Sequence, residues 1–267
     1  MELLRKLAEQ TASTFTVKEA RAAARSAGIA DPYLPVLLHR LLRAGFVTRV
    51  KRGAYALGAP IARAADVHPF AIGMALVEPS AVSGWSALNH HGLTEQIPHL
   101  ITLTTPKRVV TPAMRGVSST SPSIWEVGGQ RYEIINTVPE NFYGYEELWM
   151  GEARVRIFDR ERAMLDCFAS PRKFGSLSEG FGILEEHLQT IDVQRLISHA
   201  QRFTKRVAAK RIGYALEMLG VAADVVEPLR ALPMLGYRAL DPTKPAIGAR
   251  DRRWQVVVNL DAPRPPA

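Results

Sequence analysis

A histidine pair at residues 90 and 91 is the first place where the residue types of this sequence could bind a metal ion. His90 and His91 follow Asn89 directly. Neighbouring residues on a helix point about 100° apart, so two adjacent rings cannot easily share one tetrahedral zinc ion. His91, beside Gly92, is better explained as a favourable cation near a helix C-terminus. The sequence therefore predicts no metal site.

Three acids, Asp159, Glu161 and Asp166, are residue types that a metal-dependent nuclease uses. Asp159 is well placed to cap the following helix, and Glu161 would lie in its first turn, where the helix dipole favours acids. The chain has no Glu-x-Lys motif on a neighbouring strand, no serine nucleophile elbow and no glycine-rich phosphate loop. We expect no enzyme activity, no catalytic residues and no cofactor, with a winged-helix-targeted nuclease or other nucleic-acid enzyme as the alternative.

Composition places the chain among ordinary globular proteins. The 267 residues contain one cysteine, Cys167, which excludes an intrachain disulfide and is expected to be a small buried hydrophobe. No apolar run approaches the roughly 20 residues that span a membrane. Charges in the first ten residues do not fit a signal peptide. A soluble, cytoplasmic protein without membrane association is expected.

The positive charge is concentrated at one end of the chain. The formal net charge is +8, and the first 60 residues contain ten Lys and Arg against four acids, a net of +6. The rest of the chain carries only +2. Charge concentrated in one small segment favours a polyanionic partner for that segment.

The elements predicted in this basic segment are three helices and a hairpin. Thr16 and Glu19 have the spacing of a capping box, Asp31 before a proline is a second helix start, and Gly28 and Gly45 are helix stops. The predicted order is a helix at 1–9, a short strand at 14–16, helices at 17–27 and 31–44, and strands at 46–50 and 54–57 around a turn at 51–53. This order predicts a winged helix-turn-helix over residues 1–60.

The helix at 31–44 has two chemically different faces. On a helical wheel one continuous stripe is entirely leucine, formed by Leu34, Leu37, Leu38, Leu41 and Leu42. The opposite face carries Tyr33, Val36, His39, Arg40 and Arg43. A recognition helix needs this division, because it buries one face and places the other in the major groove.

The outward face predicts specific DNA contacts. Arg40 is expected to pair with a guanine edge, Val36 to contact a thymine methyl group, and Tyr33 to lie at the base-contacting helix start. Arg43 and the wing residues are better placed for phosphates. The full predicted DNA-binding set is Thr16, Tyr33, Val36, His39, Arg40, Arg43, Arg49, Lys51 and Arg52.

A second region is predicted to begin after Gly58, where residues become small and include prolines. We expect two domains, 1–60 and 61–267, and an α+β fold. In it a winged helix-turn-helix precedes a larger α+β domain with a small mixed or antiparallel sheet and C-terminal helices. Strands are expected at 99–104, 132–137, 144–150 and 153–157. Helices are expected at 70–77, from either Ser80 or Ser83 to His90, and at 159–168, 178–187, 192–203 and 205–219. A loop or hairpin is expected at 109–123, and a last apolar run at 254–260.

Four cations near the start of the last of these helices could form a second basic surface. On a helical wheel Arg202, Lys205, Arg206 and Lys210 share one arc. The simpler interpretation is a solvated helix face. The functional interpretation is a second nucleic-acid surface, either extending the DNA contacts or serving antitoxin activity through RNA.

Several segments resemble the AbiEi family of antitoxins from bacterial type IV toxin–antitoxin, or abortive-infection, systems. Residues 15–29 and 34–57 are similar to the family's N-terminal winged helix. Residues 68–108 resemble the start of its second domain, and RIFDRERAMLDCFASP at 156–171 resembles a further segment. The pattern of a Ser-x-x-Ser-Ala-Leu helix ending in His-Gly is matched by Ser83, Ser86, Ala87, Leu88, His91 and Gly92.

The resemblance implies a bifunctional protein. Its N-terminal domain would bind inverted repeats in its own promoter and repress transcription, and its C-terminal domain would neutralise a toxin. The implied genetic partner is a nucleotidyltransferase-like toxin, with which a stable complex is not required. A ligand-sensing transcription regulator is a further alternative, which a ligand-dependent shift in operator affinity would identify.

Overall fold

The structure, a computed structural model, describes residues 2–10, 14–58, 67–109, 124–151 and 153–260. Helices and sheets are both present throughout, so the predicted α+β class is confirmed. The chain divides into two compact units. The first comprises residues 1–82, 99–137 and 146–157, and the second residues 83–98, 138–145 and 158–267. The boundary predicted near residue 60 lies beside residues 59–66, which fall outside the described residues.

The N-terminal elements occur in the predicted order of a winged helix. They are α1 (Glu2–Gln10), β1 (Thr14–Thr16), α2 (Val17–Ser26), α3 (Leu34–Arg43), β2 (Val47–Lys51) and β3 (Ala54–Leu57). The predicted helix at 31–44 begins as a single 3-10 turn over Asp31–Tyr33 before α3. Gly28 and Gly45 follow α2 and α3 with positive φ angles of 68° and 73°, a conformation that favours glycine and ends a helix.

Leucines and alanines from all three helices form the core of the winged helix. Leu3, Leu4 and Leu7 of α1 pack with Leu34, Leu38 and Leu41 of α3, together with Phe15 of β1 and the alanines of α2. Leu37 and Leu42 pack against the same core while partly exposed. The predicted leucine stripe of α3 is therefore its buried face.

The wing is a small antiparallel sheet in the order β1-β3-β2. Strand β2 lies at the edge, and its register with β3 shifts between Arg49 and Lys51. Such a bulge bends the strand and re-aims its side chains. The outer side of β2 packs against α4 (Pro69–Leu76) and β6 (Ile124–Val127), which cover the edge.

A larger sheet has six strands, in the order β6-β7-β5-β4-β9-β8. Strands β5 and β7 are parallel, β6 and β7 antiparallel, and β4 and β9 parallel, so the sheet is mixed as expected. It is larger than the small sheet predicted, because β4 and β6 were not recognised. The remaining bounds are β4 (Ala81–Ser83), β5 (Leu100–Thr105), β7 (Gln130–Asn136), β8 (Tyr145–Met150) and β9 (Ala153–Phe158). Most of the segment predicted as a loop or hairpin, residues 110–123, lies outside the described residues.

The second unit is mainly helical. Its helices are α5 (Gly84–His90), α6 (Arg160–Ala169), α7 (Leu177–His187), α8 (Val193–Arg202), α9 (Arg206–Met218) and α10 (Ala223–Arg230). Helix α10 was not predicted, because Pro228 lies inside it. A three-stranded sheet contains β10 (Arg238–Ala239), β11 (Ala249–Asp251) and β12 (Val256–Val258). Among the described residues, no helix is both long and apolar enough to cross a bilayer.

Trp254 anchors the C-terminal sheet segment to α9. Its side chain is fully buried, and its indole Nε1 donates to Glu217 Oε2 at 2.6 Å. The ring lies directly over Gly213, where a Cβ atom would come within 2.1 Å of it. Only glycine at position 213 leaves room for this ring.

Gly213→Ala should therefore destabilise the protein by about 1–3 kcal/mol, the usual cost of overpacking a core. The matched control is Gly182→Ala in α7, where an added Cβ meets nothing within 4 Å. The control should be neutral or more stable by up to about 1 kcal/mol, because alanine favours a helix. Urea unfolding followed by circular dichroism measures both, and equal stabilities for the two variants would contradict this packing.

Candidate nucleic-acid interface

The outward face of α3 is exposed along its whole length. Tyr33 is 45% exposed and Val36 47% exposed. His39, Arg40 and Arg43 are exposed as well. The structure thus brings five of the predicted DNA-binding residues onto one surface, opposite the buried leucines.

Arg40 and Tyr33 contact each other on this surface. Arg40 Nη1 donates to the Tyr33 hydroxyl at 3.0 Å, and its guanidinium carbon lies 6.0 Å from the centroid of the Tyr33 ring. Residues seven positions apart are two helical turns apart on one face. The contact restricts the rotamers of Arg40 and holds its guanidinium beside an aromatic ring before any ligand binds.

Asp31 does not cap α3 as the sequence suggested. Ala30 is the N-cap of the preceding 3-10 turn, and no side chain caps either segment. The carboxylate instead binds Arg25 at 2.8 Å and lies 3.9 Å from Arg21. The hydrogen bond from Arg25 lowers the pKa of Asp31. Asp31 is already the first residue of the 3-10 turn and not its N-cap, and its carboxylate instead pairs with the arginines of α2 that lie within reach.

Thr16, another predicted DNA-binding residue, has its side chain engaged in the capping box of α2. Its hydroxyl accepts from Glu19 N at 3.3 Å, and Glu19 Oε2 accepts from Thr16 N at 2.6 Å. This bears out the capping box predicted from the sequence. Thr16 is exposed, but its polar atoms serve the helix start.

The wing places two of its three predicted cations in solvent. Arg49 and Arg52 are exposed, whereas Lys51 is half-buried. Lys51 Nζ donates to the backbone carbonyl of Leu76, the last residue of α4, at 3.1 Å. Burial lowers the pKa of Lys51. A helix C-terminus presents unsatisfied carbonyls that favour a cation, so Lys51 joins the wing to α4.

The predicted second basic surface is smaller than expected, because Lys210 is not on it. Lys210 is 1% exposed, and its Nζ donates at 2.6 Å to the carbonyl of Arg230, the last residue of α10. Burial lowers the pKa of Lys210. The helical wheel placed Lys210 beside its neighbours, but α10 packs on that part of α9 and removes it from solvent.

The other three cations of this group remain near the surface. Arg202 and Lys205 are exposed, and Arg206 is half-buried. The Arg202 guanidinium lies 4.0 Å from the centroid of the Tyr143 ring. Arg206 Nη1 donates to Gln201 O at 2.7 Å. The group that stays accessible is therefore Arg202 and Lys205, with Arg206 partly shielded.

The three acids considered for nuclease chemistry are all engaged in structural contacts. Asp159 caps α6 by accepting from Arg162 N at 2.8 Å, as predicted. Glu161 is buried and accepts from Asp192 N at 3.1 Å. Asp166 forms an ion pair with Arg162. None of these contacts requires a metal ion.

Arg162 is a buried cation whose role the sequence did not reveal. It is 1% exposed, and its guanidinium carbon lies 4.4 Å from the ring centroid of Phe158 and 5.1 Å from that of Phe203. Buried arginine is tolerated when it is paired and stacked on aromatic rings. Its i,i+4 pairing with Asp166 is visible in the sequence, but its burial depends on the aromatic side chains packed around it.

The other residues with reactive side chains, the two histidines and the cysteine, also make contacts within the fold. His91 Nε2 lies 2.7 Å from the carbonyl oxygen of Phe158, and the rings of His90 and His91 meet edge-to-face at 5.1 Å. The two rings are in contact although their positions are about 100° apart around the helix axis. Cys167 is fully buried, as predicted, and burial raises the pKa of its thiol.

A cleft of about 460 Å³ lies within the first unit, beside the winged helix. Thr14 and Glu19 line it from the winged helix, and residues of α4 and of the hairpin β8–β9 line the rest. Glu147 of β8 binds both Arg154 and Arg156 at 2.9 Å. The cleft is large enough for a small organic molecule, and its lining includes Met74, Ala75 and Val77 on either side of Leu76.

Asp159 makes the stability of the second unit sensitive to acid. Its carboxylate binds Arg195 Nη2 at 2.7 Å and His199 Nε2 at 3.0 Å. Burial alone would raise the pKa of Asp159, but the hydrogen bonds from His199 and the Arg162 backbone, with the charge of Arg195, hold it below its ordinary value of 3.8. A lowered carboxyl pKa contributes stability above the ordinary pKa, which is lost as pH falls through the folded pKa.

Asp159→Asn should lower stability at pH 7 by about 1–3 kcal/mol, the cost of weakening buried polar contacts. The difference in stability between this variant and the native chain should narrow below about pH 4, because the native carboxyl also begins to protonate there. Melting temperatures at neutral and acid pH measure this. Glu185→Gln, on the exposed face of α7, is the control and should change little. A gap that stays constant from pH 7 to acid would contradict the assigned contacts.

Comparisons with known proteins agree with the fold and the N-terminal domain. No curated protein matches the chain. Among solved structures, the RV2827C protein from Mycobacterium tuberculosis is similar, with a TM-score of 0.66 at 15% sequence identity over 96% of this chain and 89% of that one. At this identity the similarity shows a shared fold alone. Residues 2–58 match the family model described as "Transcriptional regulator, AbiEi antitoxin". The family resemblance expected from the sequence is thereby confirmed for residues 2–58.

Proposed function

We propose that this chain is a DNA-binding transcriptional autorepressor that also serves as the antitoxin of a type IV toxin–antitoxin system. The observation that carries the first half is the exposed face of α3, where Tyr33, Val36 and Arg40 lie opposite the buried leucines. The AbiEi family match over residues 2–58 supports the same role.

In the proposed complex the exposed face of α3 lies in the major groove. Arg40 donates to the O6 and N7 acceptors of a guanine, and Val36 contacts a thymine methyl group. Tyr33 lies at the helix start, where recognition helices contact bases, and it orients Arg40 through the 3.0 Å hydrogen bond. His39 borders this face.

The flanking cations would contact phosphates rather than bases. Arg43 lies at the C-terminal end of α3, and Arg49 and Arg52 are exposed on the wing. Phosphate contacts set the register of the domain on the duplex without reading its sequence. Thr16 and Lys51 contribute to the proposed interface mainly by holding its elements in place. Thr16 caps α2, and Lys51 connects the wing to α4.

The antitoxin half of the proposal is assigned to the C-terminal region, and the toxin to the nucleotidyltransferase-like class. Arg202, Lys205 and Arg206 are the cations near the surface that suit a second nucleic-acid contact in this region. The cleft in the first unit is the space that a ligand-sensing regulator would use. An operator affinity that shifts when small molecules are added to the binding assay would identify that alternative.

Arg40→Ala combined with Arg52→Ala should weaken binding to a fragment of the protein's own promoter by at least tenfold. The pair removes one base contact and one phosphate contact, and a good bidentate base contact alone is worth about 1–3 kcal/mol. A gel-shift titration with the native chain and both single variants measures this. Arg5→Ala is the control, because Arg5 is exposed on α1 and paired with Glu2 and Glu9.

Unchanged binding by the double variant, with correct folding, would rule out α3 as the recognition helix. Cleavage of the fragment that depends on added divalent metal would instead support the nuclease alternative. Unchanged DNA binding by the double variant would concern only the DNA-binding surface. The antitoxin assignment is tested by a separate assay.

Charge reversal at Lys205 and Arg202 should reduce protection against the toxin while leaving promoter binding unchanged. Both side chains are exposed, but Arg202 also stacks on Tyr143, so Lys205→Glu alone is measured beside the double variant. Cell growth during co-expression with the neighbouring toxin gene measures protection. The control is charge reversal at Arg252, which is exposed between β11 and β12. Full protection by the Lys205 and Arg202 variant would remove these residues from the proposal.

A further inference from the structure

Two consecutive cations follow a strand of the first unit's large sheet, and the first of them lies close to Lys51 of the wing. Lys107 and Arg108 follow β5 and are exposed. Lys107 Nζ donates to the carbonyl of Glu78. Lys51, the last residue of β2, donates to the carbonyl of Leu76, two residues earlier. The two ammonium groups therefore bind the same short stretch of chain at the end of α4.

The segment that carries Lys107 is held firmly in this place. Thr105 is fully buried, and its hydroxyl donates to Pro79 O at 2.6 Å. The same hydroxyl accepts from Lys107 N at 3.2 Å, and the Thr105 carbonyl accepts from Thr137 N at 2.9 Å. Asn136 Nδ2 donates to the Lys107 carbonyl. These contacts fix the backbone of residues 105–107 beside the α4–β4 connection.

The wing turn continues directly from Lys51 to Arg52. Arg52 is exposed, and the edge of β2 next to it packs against α4 and β6 of the same unit. Lys107 and Glu78 are thus the charged groups close to Lys51 at the end of the wing. Arg52 follows Lys51 in the chain, Arg108 follows Lys107, and the side chains of Arg52, Lys107 and Arg108 are exposed. A surplus of fixed cations at the part of a winged helix that approaches a DNA strand favours phosphate as the bound group.

We propose that Lys107 and Arg108, together with Arg52, form a phosphate-binding surface that extends the DNA interface from the wing onto the large sheet. This inference rests on the proposed DNA-binding function. The contacts would be independent of sequence, because the residues lie beside the wing and not on α3. They would add affinity and salt dependence, and they would leave the choice of operator to Arg40, Val36 and Tyr33.

The test compares the salt dependence of DNA binding by the full chain and by the variants Lys107→Ala, Arg108→Ala and their combination. Each phosphate contact contributes about 0.9 to the slope of log affinity against log salt concentration. The double variant should lower the slope by about one to two units. It should weaken binding to the promoter fragment and to a scrambled duplex of equal length by the same factor, several-fold or more.

The matched control is Arg5→Ala. It removes an exposed cation of the same unit whose charge is already paired with Glu2 and Glu9. This variant should keep the native slope. Lys107→Arg preserves the charge and should also keep the native slope, whereas Lys107→Gln, which loses the charge but retains an N–H donor, should lower it.

The outcomes distinguish the two proposals. If the native chain binds the promoter fragment and Arg40→Ala weakens it, but the Lys107 and Arg108 variant keeps the native slope, the extension is wrong and the function stands. If the native chain binds neither duplex at low salt, both fail. A loss confined to the promoter fragment would also overturn the extension, because it would indicate base readout by these residues.

Discussion

Burial of the leucines of α3 is the constraint on which the candidate interface depends. Leu34, Leu38 and Leu41 pack against α1 and β1, and each fully buried leucine contributes roughly 1.5–3 kcal/mol relative to exposure. Rotating the helix to bury Arg40 instead would remove these leucines from the core and strand a charge in it. The same side chains that stabilise the domain therefore determine which residues face outward. The candidate recognition residues are positioned by the core packing of α3 and by the contact between Arg40 and Tyr33.

Helix C-termini provide a second organising principle, because they bind several of the chain's less exposed cations. Lys51, Lys210 and Arg211 each donate to a carbonyl in the last turn of a helix, on Leu76, Arg230 and Phe168 respectively. The last four carbonyls of a helix lack partners within it, and the helix dipole makes this end favourable for positive charge. Burial lowers the pKa of each of these three groups, and that of Arg211 falls to about 10. Each of these three cations therefore connects two elements of secondary structure and is removed from the positive charge exposed at the surface.

The sequence predicted those features whose signals are local. The capping box of Thr16 and Glu19, the glycine stops and the leucine stripe each depend on residues within one or two helical turns. The exposure of Lys51 and Lys210 could not be predicted, because it depends on α4 and α10, which are distant in the chain or were not recognised. Strand β4 is three buried residues before a helix, too short for any alternation to appear. The prediction that Asp31 caps a helix was wrong for a related reason. Nearby arginines compete for its carboxylate, and the helix-start pattern in the sequence does not show this competition.

Charge counted along a sequence is therefore an imperfect measure of a binding surface. Arg162, Lys210 and Arg211 add to the formal charge of the C-terminal region, yet all three are buried and bound to carbonyls or a carboxylate. In the N-terminal region Arg25 binds Asp31, and this ion pair neutralises part of the excess positive charge there. Lys107 acts in the opposite sense, because a segment outside the basic first 60 residues brings it close to Lys51 of the wing. The electrostatic potential that a DNA duplex would encounter depends on which cations remain exposed and close to one another. That in turn depends on how α4 and the large sheet pack against the wing.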